Sequence, residues 1–289
     1  MLSLLLAAAF ALPQDTPTEP APPVAAPETP AAVTRFLASA QAKLYDPRQN
    51  GLESLSFSAP LKFPMGPEML ELGAVDVAWM ADEPVNIEPR LGELPDALKA
   101  ALPAEMIPQF RATIEAALPS LAEQLLSIAI GDLFGPLMQT HSGALGTTDG
   151  AVSITFTSAQ DPTGVGATVV WTFDDDGLPL MSVTEAQQEG PMGPMTVTVN
   201  TEHSWRAGPG GKLVLDKVTA TRSIAGQSIV ETTTAEYVTH ADMLLLTAIE
   251  SKQSMMGQEL VNRIDLKNLM ANGEAVRAVS APADAESDG

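Results

Sequence analysis

The run ELPDALKAALPAEMIPQFRATIEAALPSLAEQLLSIAIGDLFGPLMQ, Glu93 to Gln139, interrupts a chain that otherwise alternates like β-strand. Its second half carries a broad apolar surface. Leu121, Leu125, Ile128 and Ala129 recur at helical spacing, and Leu126, Ile130, Leu133 and Leu137 widen the stripe. A helix apolar over most of its circumference is buried or covers something apolar. Glu123 and Asp132 are the only charges after Pro119. Pro95, Pro103, Pro108 and Pro119 each sit where proline fits the first turn of a new helix. The run is therefore expected to form several short helices, the last starting at Pro119. Gly131, Gly135 and Pro136 end it.

Outward from this run, the chain reads as strands. Val33, Phe36, Leu37, Ala40 and Leu44 first mark an amphipathic helix, which Tyr45-Asp46-Pro47 stops because proline disfavours helix in the residue before it. Gly51 to Phe63 and Gly73 to Ala81 alternate with period two, and Val85 to Glu88 is a third short strand. After His141-Ser142-Gly143 the period is again two. Strands are expected at Val152–Phe156, Val169–Phe173, Leu178–Glu185, Thr196–Trp205, Leu213–Ser223, Ile229–Val238, Met243–Glu250 and Gln258–Leu269. Asp174-Asp175-Asp176-Gly177 is a tight hairpin turn. Roughly ten strands in sequence predict an α+β fold: one large, strongly curved antiparallel sheet, an open half-barrel, with the helices packed in its concave face.

Composition narrows the function. The chain has 289 residues, enough for a sizeable core, and no cysteine, which excludes disulfides, thiolate metal sites and a Cys nucleophile. Fifteen Lys and Arg against 36 Asp and Glu give a net charge of −21. Such a surface repels phosphate backbones, so no nucleic-acid partner is expected. The acidity serves solubility or attracts a basic protein partner.

Met1 to Ala11, MLSLLLAAAFA, is too short to span a bilayer and ends in an A-x-A-like pattern, although it lacks a positive n-region. It reads as a signal peptide cleaved near Ala11. Seven prolines between Pro13 and Pro30 make residues 12–30 a linker that cannot fold. A single domain is expected over 31–275, with the helical insert at 93–139 and an acidic disordered tail at 276–289. The protein is then periplasmic or secreted.

No G-x-S-x-G elbow, H-E-x-x-H, Walker loop or dinucleotide fingerprint occurs. His141, His203 and His240 lie in three separate segments, and His203 shares a strand face with Val199 and Trp205. The 174–177 acidic turn lacks the spaced ligands of a calcium loop. No metal, cofactor or catalytic residue is assigned, although carboxylates assembled by the fold remain an open alternative.

Four segments carry a family likeness. VTRFLASAQAKL (33–44) runs directly into GLESLSFSAPL (51–61). VDVAWMADEPVNIE (75–88) holds a Trp-bearing strand, a proline turn and a second strand. VVWTFDDDGLPLMSV (169–183) is a hairpin. AEYVTHADMLLLTAIESKQ (235–253) with QELVNRIDLKNLMAN (258–272) closes the meander. In this order they resemble the LolA-like periplasmic lipoprotein carriers and related lipid-carrier lipoproteins, over most of residues 31–275. Departures are His240-Ala241-Asp242 with Met243-Leu244 in place of the family's Gly and Pro, the length of the helical run, and the absence of a lipobox cysteine. The resemblance implies an open barrel with helices in its mouth that binds acyl chains without catalysis. It assigns no site residue.

The expectation is therefore an exported, monomeric, non-enzymatic binding protein that carries or senses a hydrophobic small molecule, a lipid or a lipidated protein. Its cavity is expected to be lined by Trp79, Leu125, Ile128, Leu133, Phe134 and Trp171. The alternative is a structural or interaction domain whose helices permanently fill the sheet.

Overall fold

Val, Thr and aromatic residues at alternating positions build strands, and the apolar three-four spacings build helices. The computed structural model describes residues 30–65, 68–158, 167–190, 193–224, 227–255 and 258–276. The expected signal peptide, the Pro-rich linker apart from Pro30, and the acidic tail apart from Val276 lie outside them. In chain order the elements are α1 (Ala31–Gln41), β1 (Ser54–Met65), β2 (Glu68–Met80), β3 (Asn86–Leu91), α2 (Asp96–Ala101), α3 (Ile107–Ala129) and α4 (Gly135–Thr140). The meander follows: β4 (His141–Thr148), β5 (Ala151–Ser158), β6 (Thr168–Phe173), β7 (Pro179–Gly190), β8 (Gly193–Ala207), β9 (Leu213–Ile224), β10 (Gln227–His240) and β11 (Met243–Met255). It closes with β12 (Gln258–Asp265), β13 (Lys267–Ala271) and β14 (Glu274–Ala275).

The fold is α+β with antiparallel sheets, but the strands do not form one strongly curved sheet. They form a five-stranded sheet ordered β14-β13-β1-β2-β3 and a nine-stranded sheet ordered β12 back to β4. Neither closes into a barrel or curls strongly among the described residues. The division falls at Leu266, inside the segment read as one strand, 258–269. Residues before it pair with β11, and residues after it pair with β1. The Leu266 amide donates to the Thr247 carbonyl, 2.8 Å, and carries the chain from one sheet to the other. Lys62 Nζ also donates to the Arg263 carbonyl across this junction, 3.1 Å. A further strand, β4, begins at His141 and is held by pairing with β5; its Ser, Gly and Ala residues show no apolar alternation, so periodicity does not reveal it.

The helical run is also more continuous than its prolines suggest. Pro95 and Pro103 precede short turns of helix and Pro108 lies in the first turn of α3. Pro119 does not start a new helix: α3 is 23 residues long and runs through it. An interior proline costs about 3 kcal/mol. Leu118, Leu121 and Ala122 on either side of it are buried, and their burial at about 1.5–3 kcal/mol per large side chain holds the axis. The helix ends in a Schellman turn. Gly131 takes φ +68°, its amide donates to Ile128 O at 3.2 Å, and the Asp132 amide donates to Ser127 O at 2.8 Å.

Two apolar clusters form. In the first, Leu118, Leu121, Ala122, Leu125, Leu126 and Ala129 of α3 meet Leu55, Phe57, Val75, Val77 and Trp79 of β1 and β2, with Leu246 and Ile249 of β11. In the second, Val33, Leu37 and Ala40 of α1 join Phe134 over Ile154 and Phe156 of β5 and Trp171 and Phe173 of β6.

These placements set a stability order that urea denaturation checks. Leu118 is 0% exposed, so Leu118→Ala is expected to cost about 2–5 kcal/mol. Gly131→Ala puts a Cβ 2.2 Å from the Tyr45 carbonyl oxygen on a left-handed backbone and is expected to cost at least about 1–2 kcal/mol. Ser120→Ala, on the exposed side of α3, is expected to stay within about 0.5 kcal/mol of wild type. Equal effects of Leu118→Ala and Ser120→Ala would contradict the helix orientation.

Candidate functional site

The nine-stranded sheet changes character along its helix-facing side. On β5 and β6 the inward residues are bulky: Ile154, Phe156, Trp171 and Phe173. Toward the middle of β7 to β9 they turn small: Ser182, Thr184, Val197, Val199, Thr201, Val218 and Ala220. The registers place Trp171, Ser182, Thr201, Ala220 and Glu231 in one cross-strand row, and Val169, Thr184, Val199, Arg222 and Ile229 in the next. The Ser, Thr, Ala and Val side chains between Trp171 and the Arg222 and Glu231 end are short. A cavity of about 400 Å³ remains over these rows, roofed by Ser120, Gln124, Ser127 and Ile128 of α3 and by Leu133, Pro136 and Leu137. That volume falls in the range of small-molecule sites. Its lining touches both apolar clusters, through Ile128 on one side and Trp171 with Leu133 on the other.

Three of the six side chains expected to line a cavity are found there: Ile128, Leu133 and Trp171. The other three lie elsewhere. Trp79 pairs across the strands with Leu55 beneath α3, and Leu125 belongs to the helix stripe that packs against this sheet. Phe134 is 2% exposed in the second cluster, edge-on to the Trp171 ring at 5.2 Å between centroids. The reason is one of helix geometry. The most apolar stripe of α3 is spent on the core, and the adjoining face, with Ser120, Gln124 and Ser127, looks onto the cavity.

Several lining residues escaped the sequence reading. The His203 ring lies 4.7 Å from the Trp171 ring at a tilt of 31° and stacks on Trp205 at 6.3 Å. Trp205 Nε1 donates to the Pro179 carbonyl, 2.7 Å, whereas Trp171 Nε1 and His203 Nδ1 are buried and make no hydrogen bond among the described residues. Burial pushes the His203 pKa down to about 4, with a hydrogen bond to the Leu180 backbone opposing the shift. The ring is neutral at neutral pH. At the opposite side of the cavity Arg222 and Glu231 are 7% and 5% exposed. They attract each other electrostatically, and Ser251 Oγ donates to Glu231 Oε1. The signal for both was available in sequence. Arg222 follows Val218 and Ala220, and Glu231 follows Ile229, each charge in phase with the inward side of its strand.

The other histidines have separate surroundings. His141 Nδ1 contacts Thr140 Oγ1 at 2.8 Å, and His240 lies 3.9 Å from Glu274. Among the described residues no three His, Cys, Asp or Glu side chains are grouped to hold a metal ion. Comparison of the chain with protein-family models, curated proteins and solved structures finds no match.

The state of His203 gives a pH dependence of definite sign. Its folded pKa, about 4, lies below the unfolded value of 6.5. Between these values the unfolded chain binds a proton that the folded chain does not. Stability is thus fully present above pH 6.5 and falls as pH drops toward 4. Chemical denaturation at neutral pH and near pH 4 is expected to show the wild type losing about 3 kcal/mol more than His203→Phe. Equal losses would contradict a buried neutral ring.

Proposed function

We propose that the protein is an exported, non-enzymatic carrier or sensor that holds a hydrophobic ligand, such as a lipid or a lipoprotein acyl chain, between α3–α4 and the nine-stranded sheet. The observation that carries this reading is the cavity of about 400 Å³ with a floor of Val, Ala, Thr and Ser side chains. A fixed plug requires the interface to be filled, and small residues over three adjacent strands leave it open. An alkyl chain suits such a floor because burial contributes about 0.8 kcal/mol per methylene and needs few polar contacts. The LolA-like resemblance carried by the sequence segments 33–61, 75–88, 169–183 and 235–272 points the same way. Met1 to Ala11 supports a periplasmic or secreted location, and the net charge of −21 supports a partner other than nucleic acid.

The reading is tested with cis-parinaryl alcohol, a slender straight-chain polyene whose emission rises in apolar surroundings. Wild-type protein is expected to bind it, with energy transfer from tryptophan. Ala220 lies in the middle of the cavity floor, and Ala220→Phe fills that space with a residue strands accept. The variant is expected to bind at least tenfold more weakly with an unchanged or higher urea midpoint. Undiminished binding by Ala220→Phe would place the ligand elsewhere, and no binding by the wild type would sink the proposal.

A further inference from the structure

The cavity is polar at one side only, and this bears on the ligand's chemistry. Its floor crosses five adjacent strands, β6 to β10, which at ordinary strand spacing is about 19 Å. Trp171 stands at one end of a cross-strand row and Glu231 at the other, with Ser182, Thr201 and Ala220 between them. Arg222 lies on the neighbouring strand, one row over from Glu231, and both line the cavity while being over nine-tenths buried. The polar patch continues outward across the sheet. Ser251 Oγ donates to Glu231, and Asn262, opposite Ser251 in register, has a buried Oδ1 with no hydrogen bond among the described residues.

Burying a guanidinium and a carboxylate carries a large desolvation penalty for each ion before their attraction is counted, and apolar residues of similar size serve a purely structural wall as well or better. Val197, Val199 and Val218 show that the same wall uses apolar residues elsewhere. Burial lowers the Arg222 pKa and the Glu231 charge opposes that shift. The lining charges are Glu123, on the exposed rim, with Arg222 and Glu231, so they do not favour an anion. A paired cation and anion offer hydrogen-bond donors and acceptors together with almost no net charge.

Resting on the carrier reading, we infer that the ligand is an uncharged amphiphile. Its alkyl chain lies over the small residues toward Trp171, and a head group that both donates and accepts hydrogen bonds, such as a glycerol or primary alcohol, sits against Arg222 and Glu231. A carboxylate head meets Glu231, and a quaternary ammonium head has no donor to offer it.

The test is displacement of cis-parinaryl alcohol by three amphiphiles of equal chain length: 1-monomyristoylglycerol, myristate and tetradecyltrimethylammonium, each below its micelle concentration. The monoglyceride is expected to displace the probe at a tenfold or lower fraction of the concentration of either ion. Glu231→Gln removes the negative charge beside Arg222 while keeping the shape and an acceptor for Ser251. It is expected to invert the order and favour myristate. Should that variant not fold, the double variant R222M/E231L replaces the pair with apolar groups and is expected to bind the probe with no head-group preference. Equal displacement by all three in the wild type, or an unchanged order in Glu231→Gln, overturns the inference and leaves the carrier reading standing. No binding of the probe to the wild type overturns both.

Discussion

A single helix face cannot be spent twice, and α3 is the element that meets this constraint. Its apolar stripe, Leu118 to Ala129, is committed to β1, β2 and β11. Each large side chain buried there contributes about 1.5–3 kcal/mol, enough to carry the helix straight through Pro119. The Schellman turn at Gly131 then redirects the chain, where the close approach of the Tyr45 carbonyl leaves no room for a side chain. With one face anchored, the adjoining face must stand over β7 to β9. The chain supplies Ser, Thr, Ala and Val there instead of the Phe and Trp found on β5 and β6. The cavity follows from the helix seat and the residue sizes together. Two apolar clusters flank it.

The polarity inside the cavity is a separate matter from its existence. A floor of small and apolar side chains would favour hydrocarbon but with little selectivity. The buried Arg222 and Glu231 add charged hydrogen-bonding groups at one side of that floor. The desolvation of such a pair makes it a weak source of stability. His203, neutral and packed against Trp171, adds polarity without charge at the other side. The lining thus runs from aromatic to ionic across the sheet.

Much of the architecture was legible in residue periodicity. The helix at 31–41, the hairpin around the Asp174 to Gly177 turn and nearly all the meander strands stand where alternation placed them. What was not legible depended on partners far away in sequence. Leu266 gives no local sign that the chain changes sheets there, because β12 and β13 are distinguished only by pairing with β11 and with β1. Proline arithmetic failed at Pro119 because tertiary burial outweighed the local penalty. The site was half legible. Ile128, Leu133 and Trp171 were identifiable as large apolar groups near the right helix, whereas Trp79, Leu125 and Phe134 looked the same in sequence and went to the core. A cavity is defined as much by small residues as by large ones. Ser182, Thr201 and Ala220 attract no notice until the register lines them up.

The central claim is that this space holds a hydrophobic ligand in the protein's own setting. The most direct measurement is organic extraction of the protein purified from the cells that produce it, followed by lipid mass spectrometry against a mock purification. The account predicts an amphiphile with an alkyl chain, enriched over the mock and close to one per chain. Protein that extracts clean, with every lipid signal matched by the mock, would contradict it.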